Sequence, residues 1–307
     1  MSKVSVVMSV YNGEKYLREA IESILNQTFS DFEFLIVDDC SIDGTPGILN
    51  DYQQKDKRIK VIKNDRNMGL TRSLEKAIKQ SSGDYIARMD ADDISLPQRL
   101  EKQYLFLTQN PLYSIVGTRT CLIDSNGKFI KRQRRPVFLR RIDKIMLKKN
   151  CLAHGTVLIN RKDLISVGNY NKKIPFAQDY ELWLRFLGSN KEIFILNDYL
   201  YFLRQHQGSV TARNAFCQSI TFFMIQKRMN FEGFDNKKIE EWFLSFDEKT
   251  KSQVYYMASR IILRSNIVES LKYCKDSMKY CKYNIHTYIL FCYIMMNVLF
   301  RKAKKHA

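Results

Sequence analysis

The stretch Tyr85-Ile86-Ala87-Arg88-Met89-Asp90-Ala91-Asp92-Asp93-Ile94-Ser95-Leu96-Pro97 decides how the chain is read. Its first five residues form a largely apolar run, which reads as a buried strand. Leu96-Pro97 reads as the start of the next helix, because proline suits a first helical turn. Asp90, Asp92 and Asp93 are thereby left at the carboxyl end of a strand, where open α/β sheets bind ligands. Clustered negative charges repel one another unless a cation lies among them, and a divalent metal that also carries phosphate oxygens would serve. A solvated acidic loop capping the helix at Pro97 accounts for the same residues. The tetrad alone does not separate the two readings.

On the amino-terminal side, Val4-Ser5-Val6-Val7-Met8-Ser9-Val10 is a β-branched run consistent with a central parallel strand. Tyr11-Asn12-Gly13 ends it, with Asn12 expected to cap the helix that follows. That helix repeats Tyr16, Leu17, Ala20, Ile21, Ile24 and Leu25 at the 3.6-residue period. Phe32 to Val37 is a second buried strand ending in Asp38-Asp39, and Ile59-Lys60-Val61-Ile62 is a third. After Asn67-Met68-Gly69, a helix with Leu74, Ala77 and Ile78 inward leads back to the opening strand. The βαβαβαβ order predicts an α/β fold with a mostly parallel, Rossmann-like sheet flanked by helices. No G-x-G-x-x-G follows the first strand, which argues against a dinucleotide site.

On the carboxyl side, a helix is expected from Pro97 to Thr108, then a strand at Ile115-Val116-Gly117. Asp124-Ser125-Asn126-Gly127 marks a hairpin. A helix over Phe138 to Lys149, a strand over Gly155 to Ile159, a helix over Asp179 to Leu187 and a last strand over Tyr199 to Leu203 follow. Beyond Thr211 only helical periodicity remains. Ile285 to Phe300 carries no charged residue, but these sixteen positions fall short of the roughly 20 that span a bilayer. The segment reads either as a helix buried in the tail or as one lying in a membrane interface.

The apolar share of 45% and charged share of 27% over 307 residues exclude a disordered chain. Seven cysteines, odd in number and never spaced C-x-x-C, favour reduced thiols in a cytosolic setting over a disulfide frame or zinc site. No signal peptide is expected ahead of the first strand. The net charge of +18 is unevenly placed: Lys128 to Lys173 holds +12, Lys251 to the end holds +9, and the rest is slightly acidic. Such appended basicity suits contact with anionic lipid or nucleic acid. The basic regions lack the interleaved aromatics of nucleic-acid modules, so nucleic acid is not expected as a partner.

Taken together, Val4 to Asn12, Asn26-Gln27-Thr28, Ile36 to Thr45, Asn67-Met68-Gly69, Gly83 to Asp93 and Gln178-Asp179-Tyr180-Glu181-Leu182-Trp183 resemble the family 2 nucleotide-sugar glycosyltransferases of GT-A fold. The six pieces occur in the family's order across residues 4 to about 210; the last hundred residues lie outside the resemblance. It implies a catalytic domain over 1–210, with a nucleotide-binding half at 1–118 and an acceptor half at 119–210, followed by a basic helical region at 211–307. It implies that Ser9, Tyr11 and Asn12 line the nucleotide pocket and that Asp39 hydrogen-bonds uracil. Asp90 and Asp92 match the D-x-D motif, with Asp92 the direct ligand of Mn²⁺ or Mg²⁺ on the diphosphate. Asp93 is left to cap the helix or orient its neighbour. Asp179 matches the catalytic base, and His206 the histidine that meets the metal or diphosphate. Arg72 and Arg88 lie near the expected pocket, where a structural ion pair explains each as well.

The activity so implied is inverting transfer of a hexose or N-acetylhexosamine from a UDP-sugar. The acceptor would be a hydroxyl of a glycan or lipid-linked saccharide, in cell-surface polysaccharide synthesis on the inner face of the plasma membrane. Gln178 and Glu181 stand where the family often has Glu and Asp, and Cys40 where Gly or Asn is frequent. A sugar-1-phosphate nucleotidyltransferase would share the nucleotide-binding half, but the loop Ser9 to Tyr16 is not its Gly-rich, cationic loop. A basic membrane- or nucleic-acid-binding protein without catalysis leaves the acidic strand ends unexplained.

Overall fold

The computed structural model describes residues 2–133, 142–174, 176–227, 236–263, 266–281 and 284–303. The chain divides into two compact units, Met1–Arg204 and Gln205–Ala307.

The first unit opens with β1 (Val4–Val10), α1 (Glu14–Leu25), β2 (Phe32–Asp38), α2 (Thr45–Lys55), β3 (Ile59–Lys63), α3 (Leu70–Gln80) and β4 (Tyr85–Arg88). It continues with β5 (Ile94–Ser95), α4 (Arg99–Gln109), β6 (Tyr113–Ile123), β7 (Phe129–Arg132) and α5 (Ile142–Met146). A 3₁₀ turn (His154–Thr156), β8 (Leu158–Asn160), α6 (Arg161–Ser166), α7 (Gln178–Gly188) and β9 (Glu192–Arg204) complete it. Among the described residues the strands form one sheet in the order β3-β2-β1-β4-β8-β6-β9-β5, with β7 on β6. The pairs β1–β2, β1–β4, β2–β3 and β6–β9 are parallel. Strand β8 runs against both β4 and β6, and β5 against β9.

Strand β1 lies between β2 and β4 with helices on either face, which is why its apolar run is continuous. Val4, Val6, Val7 and Met8 are at most 1% exposed, and each such side chain contributes about 1.5–3 kcal/mol through burial. Because β2, β1 and β4 are adjacent and parallel, their carboxyl ends share one edge of the sheet. Gln27, just past α1, ties that helix to β5 and to the start of α4. Its amide donates to Ser23 O, Ser95 Oγ and Leu96 O and accepts from the Leu100 N–H at 3.0 Å, serving an otherwise unpaired donor of the helix start.

Local readings change in five places. Asn12 does not cap α1: the N-cap is Gly13, without a side-chain bond. Asn12 instead takes a left-handed conformation (φ 52°), which asparagine tolerates, and its side chain accepts from the Ile42 N–H at 2.9 Å. Helix α4 starts at Arg99 rather than Pro97, because Ile94 and Ser95 pair with Phe202 and Tyr201 as a short strand. The expected strand at Gly155 begins as a 3₁₀ turn and becomes β8 only at Leu158. Strand β9 starts at Glu192, seven residues before the expected Tyr199, because it follows β6 along a long parallel ladder. Of the helix expected over Phe138 to Lys149, Ile142–Met146 is helical, and residues 134–141 lie outside those described.

The second unit holds α8 (Val210–Arg213), α9 (Ala215–Gln226), α10 (Asn236–Ser245), α11 (Glu248–Ile262), α12 (Ile267–Tyr280) and α13 (Ile285–Ala303). Small hydroxyl side chains let α11, α12 and α13 approach closely. Ser252 bonds Ser277, Ser259 bonds Ser270, and Ser277 bonds Thr287, all within 3.0 Å and all buried. No helix among the described residues is long and apolar enough to cross a membrane.

Candidate active site

The acidic tetrad leaves β4 at the shared sheet edge, where β4 is registered to β1 by the Met89 N–H to Val7 O bond at 3.1 Å. Asp90 and Asp92 stay partly exposed, and arginines lie behind the tetrad. Arg88, 1% exposed, forms an ion pair with the Asp90 carboxylate. Burial alone would favour loss of the Arg88 proton, but the Asp90 charge outweighs it and raises the guanidinium above its ordinary value. Arg99, also fully buried, donates to Gly155 O at 2.7 Å and to Arg88 O at 2.9 Å, and its guanidinium lies 5.4 Å from the Tyr201 ring centroid. Burial and the neighbouring Arg88 charge pull Arg99 down to about 10, still charged at neutral pH.

The end of β9 closes the tetrad from the far side of the sequence. The Asp93 carboxylate accepts from the Arg204 N–H at 2.7 Å, and Arg204 Nε donates to the Asp92 carbonyl at 2.8 Å. The same guanidinium reaches Glu19 and covers the Tyr16 ring at 4.6 Å. Asp93 therefore does not cap α4, whose N-cap Gln98 makes no side-chain bond; it fastens the loop to β9. Its buried carboxyl is raised well above the usual range by desolvation and by the charges of Asp92 and Asp90. Asp90 is raised for the same reasons, burial first, with Arg88 opposing.

Tyr201 accepts from the Asp90 N–H at 3.2 Å, and Gly155 packs beneath both. A Cβ on Gly155 would lie 2.2 Å from Tyr201 Oη and 2.8 Å from Asp90 Oδ2, so only glycine allows this approach. Next to it, His154 Nε2 lies 2.6 Å from Tyr170 Oη, and its ring meets Trp183 edge-on at 6.2 Å. Burial and the Arg88 charge hold His154 well below its usual range, hence neutral. Burial, together with Asp179 and Asp90, raises the Tyr170 phenol, which stays protonated.

Asp179 occupies the first turn of α7, half-buried, behind Ala177 in a left-handed conformation (φ 52°). Buried Trp183 and Phe186 anchor the helix beneath it. Asn150 Nδ2 donates to Asp179 Oδ2 at 2.8 Å, while Asn150 Oδ1 accepts from the Leu152 N–H at 3.2 Å. That second bond fixes which way the amide faces. Glu181 is drawn away to Arg185 (2.6 Å), and Arg185 also donates to Asn169 O. The longer side chain at 181 therefore braces the helix instead of joining the base.

At the β1 and β2 ends, Ser9 is partly buried and Tyr11 is 47% exposed. Asp39 is buried and accepts from Asn64 Nδ2 (2.7 Å), the Met68 N–H (2.7 Å) and the Gly69 N–H (2.8 Å). A carboxylate offers about four acceptor positions, so one remains after the loop is held. Cys40 takes φ 66°, which explains in physical terms why glycine or asparagine suits that position. Arg72 is an exposed residue of α3.

Among the described residues, no three His, Cys, Asp or Glu side chains are placed to hold a metal ion. His206 lies two residues past β9, in the second unit, and its carbonyl accepts from the Ser209 N–H. A hard cation on a nucleotide diphosphate needs only one or two carboxylates, the phosphates supplying further oxygens. Half-buried Asp92, with Asp90 beside it, meets that requirement. Asp90 and Asp92 can therefore hold a cation–phosphate group, and Asp179, held by Asn150 in the first turn of α7, supplies a further oriented carboxylate.

The sequence matches the family model "Glycosyl transferase family 2" over residues 5–168. It is 40% identical over 200 residues to the uncharacterized glycosyltransferase MJ1057 of Methanocaldococcus jannaschii, covering 64% of this chain and 69% of that one. It is 40% identical over 195 residues to the O-antigen biosynthesis glycosyltransferase WbnJ of Escherichia coli, covering 61% and 72%. The fold matches S. aureus TarS 1-349 in complex with UDP (TM-score 0.59, 17% identity, 91% and 88% covered). It also matches the mannosyltransferase PcManGT of Pyrobaculum calidifontis in complex with GDP-Man and Mn²⁺ (TM-score 0.61, 13% identity, 97% and 81% covered). The fold is GT-A, and the chain belongs to glycosyl transferase family 2.

Proposed function

We propose that the protein transfers a hexose or N-acetylhexosamine from a UDP-sugar, with inversion, to a hydroxyl of a glycan or lipid-linked saccharide. The product would belong to cell-surface polysaccharide, and the enzyme would work at the inner face of the plasma membrane. The reading is carried by the carboxylates that the fold holds ready: Asp90 and Asp92 just past β4, with Asp90 paired to Arg88, and Asp179 in the first turn of α7, held by Asn150. Names of relatives add support for the pathway, since WbnJ and the Bacillus subtilis protein TuaG are described for O-antigen and teichuronic acid biosynthesis.

In this reading Ser9, Tyr11 and Asn12 shape the nucleotide pocket, and the remaining acceptor position of Asp39 meets the uracil ring. Asp92, assisted by Asp90, would hold Mn²⁺ or Mg²⁺, which when bound offsets the charge that builds on the departing diphosphate. Arg88 keeps Asp90 in place, and Arg204 keeps the loop on β9. Asn150 orients Asp179 in the first turn of α7. Asp179 then takes the proton of the acceptor hydroxyl as that oxygen attacks the anomeric carbon from the face opposite the diphosphate. The bond to the diphosphate oxygen breaks, and the configuration inverts. His206 is assigned to the metal or diphosphate only through its place in the motif.

The test is a panel of nucleotide sugars with Mn²⁺ and saccharide acceptors, scored for nucleoside diphosphate release. Release with a UDP-sugar, abolished by chelation and restored by Mn²⁺, is expected. Chelation-insensitive release would overturn the metal assignment, and release only from another nucleotide would overturn the donor.

A further inference from the structure

Helix α13 has two unlike faces. Thr287 and Ile294, seven residues apart, are fully buried, and Thr287 bonds Ser277 of α12. On the opposite side Ile285, Tyr288, Ile289, Cys292, Tyr293 and Met295 are exposed, Ile289 by 62% and Tyr293 by 50%. These positions follow the helical period, so they form one apolar stripe rather than scattered exceptions. No charged residue interrupts it from Ile285 to Phe300. The neighbouring helix α12 exposes Lys272, Lys275 and Lys279, again on one stripe, and the chain from Lys251 onward carries +9.

We propose that this outer face of α13 is where the protein lies on an anionic phospholipid surface, the net charge of +9 from Lys251 onward supplying the attraction. Charge selects the occupant. A second copy would bring another +9 against the first and be repelled. An anionic bilayer supplies the opposite charge together with an apolar layer that accepts Ile289 and Tyr293. Interfacial helices combine these two features, an apolar stripe that enters the acyl boundary and basic side chains that reach headgroups. Tyrosine suits the boundary, with its ring in the apolar layer and its hydroxyl in water. The helix is thus buried in the tail on one side and interfacial on the other. The proposal rests on the peripheral membrane placement given above but not on the transfer chemistry, and it is read without turnover.

The experiment is flotation of the full-length protein with phosphatidylglycerol-containing vesicles and, separately, with pure phosphatidylcholine vesicles. The wild type is expected to float with the anionic vesicles only and to be partly released by salt. Partitioning is expected to fall steadily as the phosphatidylglycerol fraction of the vesicles is lowered. Ile289→Glu/Tyr293→Glu lowers it more than about tenfold even at low salt. All changes are at exposed positions, and circular dichroism checks the fold. Independently, the Tyr288→Trp variant is expected to shift its emission to the blue on adding anionic vesicles and to be quenched by brominated lipid. Absence of flotation, wild-type partitioning of Ile289→Glu/Tyr293→Glu, or an unchanged emission of the Tyr288→Trp variant overturns the proposal. A concentration-dependent dimer abolished by Ile289→Glu overturns it in favour of a second copy.

Discussion

Replacing Asn150 by alanine tests how the structure prepares Asp179. Asn150 donates to Asp179 Oδ2 at 2.8 Å and is itself oriented by the Leu152 N–H. A hydrogen bond to a charged group contributes about 1.5–3 kcal/mol net, and because Asp179 is half-exposed the lower end applies. The bond sets which way the carboxylate faces, so its loss lets the side chain turn away from the acceptor. In steady-state assays of nucleoside diphosphate release, Asn150→Ala should lower kcat by about tenfold, with the donor KM nearly unchanged. Asn150→Asp, which places a second carboxylate there, should lower kcat further. Wild-type kcat in both variants would refute the reasoning.

Three further outcomes follow from the buried charges and the strained loop. Arg88→Met should cost about 3–5 kcal/mol by denaturant unfolding, because it strands the Asp90 carboxylate, and Arg88→Met/Asp90→Asn should lose much less than the sum of the single changes. Additive losses would mean that the pair is not coupled. Glu33 is buried, which alone would raise it, but bonds from Lys60, Ser5 and Ser82 lower it to about 2. Its stabilisation is therefore present above the unfolded carboxyl value near 4.5 and lost as pH falls through about 2. Glu33→Gln should remove about 3 kcal/mol at neutral pH and flatten that acid limb of stability; an unchanged profile would exclude Glu33 as its source. Cys40→Asn should leave stability unchanged or raise it by up to about 1 kcal/mol, since asparagine tolerates the left-handed backbone at that position. A clear loss would show that the thiol contributes more than its conformation costs.

The parallel half of the sheet was legible because strands buried on both faces are mostly apolar, as Val4–Val10 and Phe32–Asp38 are. The acids at the ends of β2 and β4 were legible because such edges collect polar groups that a sheet interior would reject. What surrounds those acids was not. Three clustered carboxylates call for a cation, and beside any metal the fold brings Arg88 to the Asp90 carboxylate, while Asp93 accepts from the Arg204 backbone N–H. Arg204 is 111 residues from Asp93, and nothing local marks the pairing. Strand β5 is two residues long and exists only through β9, so nothing local separated it from the helix start read at Leu96-Pro97. The His154–Tyr170 pair was missed because each is a single polar residue in a loop. Gly155 was the available hint: a glycine after a histidine, in a stretch otherwise patterned as a strand, signals close approach of another group. Asn12 and Asp93 show the converse error. Both are residue types that cap helices, and both are used instead to tie distant loops together.

Whether Asp179 is the base is decided by Asp179→Asn, with transfer and donor binding measured on the same protein. The substitution keeps the shape and the bond from Asn150 but removes the ability to take a proton. Transfer should fall by about 10²–10⁴ while UDP-sugar binding by calorimetry stays at the wild-type level. Transfer near the wild-type rate would contradict the account, because the carboxylate oriented by Asn150 would then not be the base.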